Sequence, residues 1–279
     1  ALIHQWKFEE EGGAGTTLVD SVGGKNGTIV DVGGNNGTVG GGSITLAGGG
    51  KNDTDYVRLP AGLISGLSSA TIETWSTQRS TQNWSRVFSV GSSVTNVMHM
   101  SFSRGTDINS NEFRWNAQDN ITLQDFGGQP SNPIDEQVHW VVTIDDTSGA
   151  DNKTKVTIYK NGTEVSTGDT YNNLSGLNDA DFFLGRSQWG DSAANASWEE
   201  FRIYNGALTA EEVKYNTIYG PESTLYQETD ESANIAFGGA PSGTSSTSSL
   251  KLKDSYLDIT NLDLANEIQN NGDGGFTIS

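Results

Sequence analysis

The chain has no cysteine in its 279 residues. That excludes disulfide frameworks, thiolate metal sites and cysteine nucleophiles together. Basic residues are scarce as well: 16 Lys and Arg stand against 35 Asp and Glu, for a formal charge of −19. A field of that sign repels nucleic acid and anionic membrane, and no basic stripe offsets it. No apolar run approaches the ~20 residues a spanning helix needs, so membrane insertion is not expected. Ala1 is not followed by a charged and then an apolar segment, and we expect any export signal to have been removed. With five prolines but 35 glycines and seven tryptophans, the chain is too aromatic to be disordered. It reads as soluble, acidic and folded.

Hydrophobicity alternates with period two almost throughout. Thr71-Ile72-Glu73-Thr74-Trp75, Arg86-Val87-Phe88-Ser89-Val90, Lys155-Val156-Thr157-Ile158-Tyr159 and Phe201-Arg202-Ile203-Tyr204 are short β-branched and aromatic runs. Gly, Asn, Asp and Ser bound them, the pattern of half-buried antiparallel strands. Asn161-Gly162, between two such runs, is a strong two-residue hairpin signal. One short helix is expected near 209–215, where Thr209 and Glu212 have the spacing of a capping box. The predicted fold is all-β: a two-sheet antiparallel β-sandwich of jelly-roll type with that single helix.

The sandwich fits within residues 1–220. Residues 221–249 are rich in Ser, Thr, Gly and Ala and read as a flexible linker. In 250–279, Leu250-Lys251-Leu252, Tyr256-Leu257-Asp258-Ile259 and Phe276-Thr277-Ile278 follow the order of Ile44-Thr45-Leu46, Tyr56-Val57-Arg58-Leu59 and Thr71-Ile72-Glu73. That order suggests the start of a second, truncated copy of the module. The alternative is extra strands that complete the first sandwich.

Several segments in series carry a family resemblance. They are His4-Gln5-Trp6-Lys7-Phe8-Glu9-Glu10, Gly15 to Ser21, Gly24-Lys25-Asn26-Gly27-Thr28, Tyr56 to Leu59, and Ala70 to Trp75. His139 to Asp145, Val156 to Gly162, Phe183 to Ser187 and above all Glu199 to Thr209 continue it. Over most of 1–218 the chain resembles a laminin-G-like jelly-roll domain of the concanavalin A-like lectin/glucanase superfamily. The resemblance implies the sandwich fold and an extracellular or cell-surface setting. It leaves function open, because that family includes carbohydrate-binding modules, adhesion domains, hydrolase appendages and structural proteins.

The resemblance also implies a structural Ca2+ ion, held by an acid in the first glycine-broken loop and an acid from a late strand. The matching positions are Asp20, Asn26 and the pair Glu199 and Glu200, where Glu199 replaces the usual Asp. Calcium takes six to eight oxygens, and a Gly/Asn loop lets backbone carbonyls converge on it. Glu199 and Glu200 face opposite ways on a strand, so one of the two would serve. The plainer alternative is that Asp20 caps a turn and both glutamates are solvated.

Trp84, Trp115 and Trp189 lie in polar contexts. An aromatic face for the C–H side of a sugar ring, with Arg114 and Asn116 for its hydroxyls, makes these five residues the candidate glycan surface. The alternative is that these tryptophans cover the sandwich edge. Trp6, Trp75 and Trp140 sit in strand patterns and are expected in the core, while Trp198 is ambiguous.

No catalytic residues are expected. A Glu-x-Asp-x-x-Glu run, which would set two carboxylates ~5 Å apart for retaining hydrolysis, is absent. So are Gly-x-Ser-x-Gly, His-Glu-x-x-His and a phosphate loop. Asp145, Asp146 and Asp151 form an acidic loop, read as solvated or as a second cation site. Two functional readings stand. One is a calcium-stabilised, carbohydrate-binding or adhesive module of an exported protein, with a glycan or surface polysaccharide as partner. The other is a building block of a surface layer, filament or virion, partnered by other copies or another protein.

Overall fold

Period-two alternation becomes two facing sheets in the computed structural model, which describes residues 1–221 and the strands Ile268–Asn270 and Phe276–Ile278. The first sheet runs β14 (Thr163–Thr170), β13 (Thr154–Lys160), β12 (Gln137–Asp145), β7 (Ser69–Ser80), β16 (Ala193–Asn205), β5 (Ser43–Gly49), β4 (Thr38–Gly40), and β1 (Leu2–Trp6) also pairs with β16. The second runs β11 (Asn120–Gln124), β10 (Glu112–Asn116), β9 (Asn96–Ser101), β8 (Arg86–Ser93), β15 (Asp181–Leu184), β6 (Tyr56–Leu59), β3 (Gly27–Val30), β2 (Thr17–Leu18). All these strand pairs are antiparallel. Together they form the expected jelly-roll sandwich.

The core lies between the inner faces. Ala70 and Ile72 of β7, Val138, Trp140, Val142 and Ile144 of β12, and Met98 and Met100 of β9 all join one buried cluster. Phe88, Phe182 and Phe201 meet at its centre, with ring centroids 5.7 to 6.4 Å apart. Strand β16 serves the core with both halves because its alternation is reset. The register slips between Trp198 and Glu200, so Ala196 and Trp198 face inward before the slip and Phe201 and Ile203 after it. Glu199 is the extra residue of this β-bulge.

Asn161 and Gly162, at φ 48° and 82°, close the β13–β14 hairpin. Both central residues have the positive φ that a type I′ turn requires. The helix α1 (Ala210–Tyr219) carries the expected capping box, with Thr209 and Glu212 exchanging side-chain-to-backbone bonds. It runs four residues beyond the predicted end.

A buried polar cluster fastens α1 to the outer face of the first sheet. Glu73 accepts from Tyr204 Oη at 2.6 Å and Asn216 Nδ2 at 2.9 Å, and lies 2.8 Å from His139 Nε2 and 3.3 Å from Arg202 Nη1. Burial pushes the Glu73 carboxyl up, but His139, Arg202 and Tyr204 outweigh it and hold it at about 2. Trp75 is buried as expected, but on this outer face. It lies between the His139 ring at 4.2 Å and the Arg202 guanidinium at 4.7 Å. Val213 of the helix adds a small apolar contact with Val141 and Tyr159.

No helix among the described residues is long and apolar enough to cross a membrane. The expected linker beyond Pro221 and most of the expected second copy lie outside the described residues. Within 250–279, Ile268–Asn270 (β17) pairs antiparallel with Phe276–Ile278 (β18).

Candidate functional site

A cleft of about 200 Å³ opens on the outer face of the second sheet. Successive side chains alternate across β9 and β10, so while Met98, Met100, Phe113 and Trp115 point to the core, His99, Glu112 and Arg114 point outward. The register sets Arg114 opposite His99, and His99 opposite Ser89. One polar row therefore crosses three strands. The walls come from two loops, one carrying Trp84 before β8 and the other carrying Trp189 and Asp191 after β15.

Hydrogen bonds fix each wall. Trp84 sits at φ 57°, a left-handed conformation that disfavours a large side chain. Its N–H donates to Gly105 O at 2.9 Å, and its carbonyl accepts from Arg86. Arg104 stacks on its ring at 5.9 Å. In the other loop, Ser187 Oγ accepts from Trp189 N at 3.0 Å and donates to Asp191 Oδ2 at 3.1 Å. Lys51 Nζ donates to the Trp189 carbonyl at 2.6 Å.

The floor is a charge-balanced set. Arg86, 2% exposed, donates to Asp191 Oδ2 at 2.8 Å. Arg114 Nε lies 3.2 Å from Glu112 Oε1, which is also 3.2 Å from His99 Nε2. Gln124 donates to Glu112 Oε2 at 2.7 Å. Trp189 covers both basic groups, with its ring 5.6 Å from the Arg86 guanidinium and 5.5 Å from His99. Burial lowers Arg86 to about 10 against the pull of Asp191 and Glu112, so it stays charged near neutrality. Burial, with Arg86 and Arg114 beside it, holds His99 well below the usual histidine range, so its ring is neutral there.

Of the five candidate glycan residues, the structure brings together Trp84, Trp189 and Arg114. Trp115 is a correction: it is fully buried in the core cluster, because it shares the inward phase of β10 with Phe113. Asn116 ends β10 opposite Asn120 and does not line the cleft. Arg86, His99, Glu112 and Asp191 line it and had not been singled out. The available signal was the phase of His99, flanked by Met98 and Met100 in a strand pattern.

The expected calcium ligands each have protein partners. Asp20 Oδ1 accepts from the backbone N–H of Gln5 at 2.9 Å, Val22 at 3.1 Å and Gly23 at 3.0 Å. Oδ2 accepts from Lys25 N at 2.9 Å and lies 2.7 Å from His4 Nδ1. Burial raises this carboxyl, but those donors outweigh it and lower it overall. Asn26 Oδ1 accepts from Asp20 N at 3.0 Å. Glu200 pairs with Arg202 and accepts from Gln5 Nε2 at 2.5 Å, while Glu199, on the bulge, accepts from Gln137. Both Asp20 oxygens, Asn26 Oδ1 and one oxygen each of Glu199 and Glu200 thus accept from N–H donors, whereas calcium needs converging oxygens that are free to ligate it. Among the described residues no group of three His, Asp or Glu side chains is arranged to hold a metal. Asp145 accepts from Thr147 N within its own turn, and Asp146 accepts from the distant Leu174 N.

The model of a laminin-G-type family, described as the concanavalin A-like lectin/glucanases superfamily, matches residues 49–214. No curated protein matches the sequence. Among solved structures, domain 4 of AbnA, an extracellular arabinanase from Geobacillus stearothermophilus solved with arabinotriose, superposes with a TM-score of 0.58 at 21% identity. That match covers 77% of this chain and 97% of that one. The binding domain of botulinum neurotoxin DC, solved with rat synaptotagmin II, gives 0.56 at 14% identity, covering 78% and 51%. Trypanosoma rangeli sialidase gives 0.55 at 14%, covering 82% and 33%. The match thus spans about half of the toxin domain and a third of the sialidase, and these likenesses show the fold.

Proposed function

Because the chain belongs to the concanavalin A-like lectin/glucanase superfamily, we propose that it is a non-catalytic binding module that holds a carbohydrate in the cleft between Trp84 and Trp189. The observation that carries this reading is the composition of the cleft. Two partly exposed tryptophans rim a floor of hydrogen-bonding side chains, which is the chemistry of sugar recognition: apolar C–H faces beside hydroxyls. The arabinanase domain with its arabinotriose supports the reading, as does the absence of a catalytic carboxylate motif from the sequence. Glu112 is buried beside Arg114 and Asp191, partly exposed, pairs with Arg86, so each carboxylate is held in its charged form rather than poised as a general acid.

An exported, cell-surface or extracellular protein is the natural setting for such a module. The test is a glycan array probed with the full chain and with Trp189→Ala. Binding to a defined set of glycans that the variant loses, at an unchanged melting temperature, supports the reading. Binding that the variant retains in full refutes the cleft as the site.

A further inference from the structure

The cleft's size, charge pairing and unused hydrogen-bonding groups specify its ligand more closely. A volume of about 200 Å³ lies below the ~300–1,000 Å³ of clefts that take drug-sized ligands, which suits one furanose or pyranose ring. Each cation in the cleft already has its own anion: Arg86 with Asp191 at 2.8 Å, Arg114 with Glu112 at 3.2 Å. A sugar carboxylate would have to displace one of these, and the Glu112 side chain is only 3% exposed.

Some hydrogen-bonding capacity is left over. Asp191 Oδ2 receives Arg86 and Ser187, so among the described residues Oδ1 has no protein partner. Arg114 meets Glu112 through Nε alone, so among the described residues its two terminal nitrogens have no partner, on a side chain 32% exposed. One acceptor and a donor fork thus line the same cleft, flanked by two indole faces. Adjacent hydroxyls of one sugar ring can donate to the first and accept from the second.

We propose that the cleft binds a single uncharged sugar residue at a glycan end, with Arg114 donating to and Asp191 accepting from neighbouring hydroxyls. This rests on the carbohydrate reading above and narrows it to an end-on, neutral ligand.

The experiment is titration calorimetry on the full chain. The probes are the methyl glycosides of arabinose, xylose, galactose and glucose, the trisaccharides arabinotriose, xylotriose, galactotriose and maltotriose, and galacturonic and glucuronic acids. At least one neutral sugar is expected to bind, with its trisaccharide within about fivefold of its methyl glycoside. The acids should bind at least fivefold more weakly. Arg114→Gln, on a side chain one-third exposed and outside the apolar core, should weaken binding about tenfold or more, as should Asp191→Asn. A trisaccharide more than fivefold tighter than its monomer, an acid that binds as well as its neutral parent, or full affinity in Arg114→Gln overturns the inference. If Trp189→Ala still abolishes that binding, the carbohydrate reading survives alone. No binding by any probe overturns both.

Discussion

Asp20 offers the sharpest test of how the first loop is held. Replacing it with alanine strands five donors, of which Gln5 N is the most deeply buried, on a residue 2% exposed. An orphaned buried N–H costs about 1–3 kcal/mol. Val22, Gly23 and Lys25 are exposed residues, so water replaces the carboxylate there, and each forfeits only the net value of a bond, about 0.5–1.5 kcal/mol. At their central values these four backbone contributions add to a loss of roughly 5 kcal/mol for Asp20→Ala, before the His4 contact is counted. Asp20→Asn keeps an acceptor for Gln5, Val22 and Gly23 but turns an amide toward Lys25 N, so it should cost about half as much. Urea unfolding of the full chain, followed by tryptophan fluorescence in millimolar calcium and again in chelator, measures both. The same losses are expected in the two buffers, with one wild-type midpoint. A loss below about 1 kcal/mol for alanine would refute the hydrogen-bond reasoning. A calcium-dependent rise in the wild-type midpoint that Asp20→Ala removes would show that these carboxylate oxygens bind metal after all.

Two further outcomes separate core from cleft and fix the acid limb of stability. Trp115→Ala should destabilise by about 3–5 kcal/mol, whereas Trp189→Ala should leave the urea midpoint nearly unchanged and remove sugar binding. Glu73 has a folded value of about 2 against an ordinary 4.5. Its contribution is therefore complete above pH 4.5 and is lost as the pH falls toward 2, by roughly 3 kcal/mol. Glu73→Gln should flatten that part of the stability–pH profile, and an unchanged acid limb in the variant would refute the assignment.

Local chemistry was legible wherever one short segment decides the outcome. Asn161-Gly162 carries its turn in two residues, and Thr209 with Glu212 carries a helix start in four. The helix end was less legible: nothing between Tyr215 and Tyr219 breaks a helix, and Gly220, at φ 78°, does. Trp115 was misread because the polar neighbours Arg114 and Asn116 mask a strand phase that only Phe113 reveals. The cleft could not be assembled from sequence. Arg86, His99, Glu112 and Asp191 come from four separate stretches, and the strand register of the second sheet and the loop after β15 bring them together. Asp20 shows a different limit. A carboxylate in a Gly/Asn loop suits calcium or a nest of N–H donors equally well, and the choice rests on which backbone groups turn toward it.

The antiparallel seam between β1 and β16 has a mechanical consequence. Leu2 pairs with Tyr204 and Trp6 with Phe201, and the Ala1 amine donates to Asn205 O at 2.9 Å. The two ends of this ladder therefore lie side by side, and beyond Asn205 the chain turns back into α1 against the same sheet. Traction applied at Ala1 and Asn205 would load the seam one rung at a time, as a zipper is opened, rather than shearing all its rungs together. A module anchored through these points would hang beside a tether as a pendant, and under tension it would yield first by peeling β1 away. The cleft lies on the opposite sheet, outside that line of force.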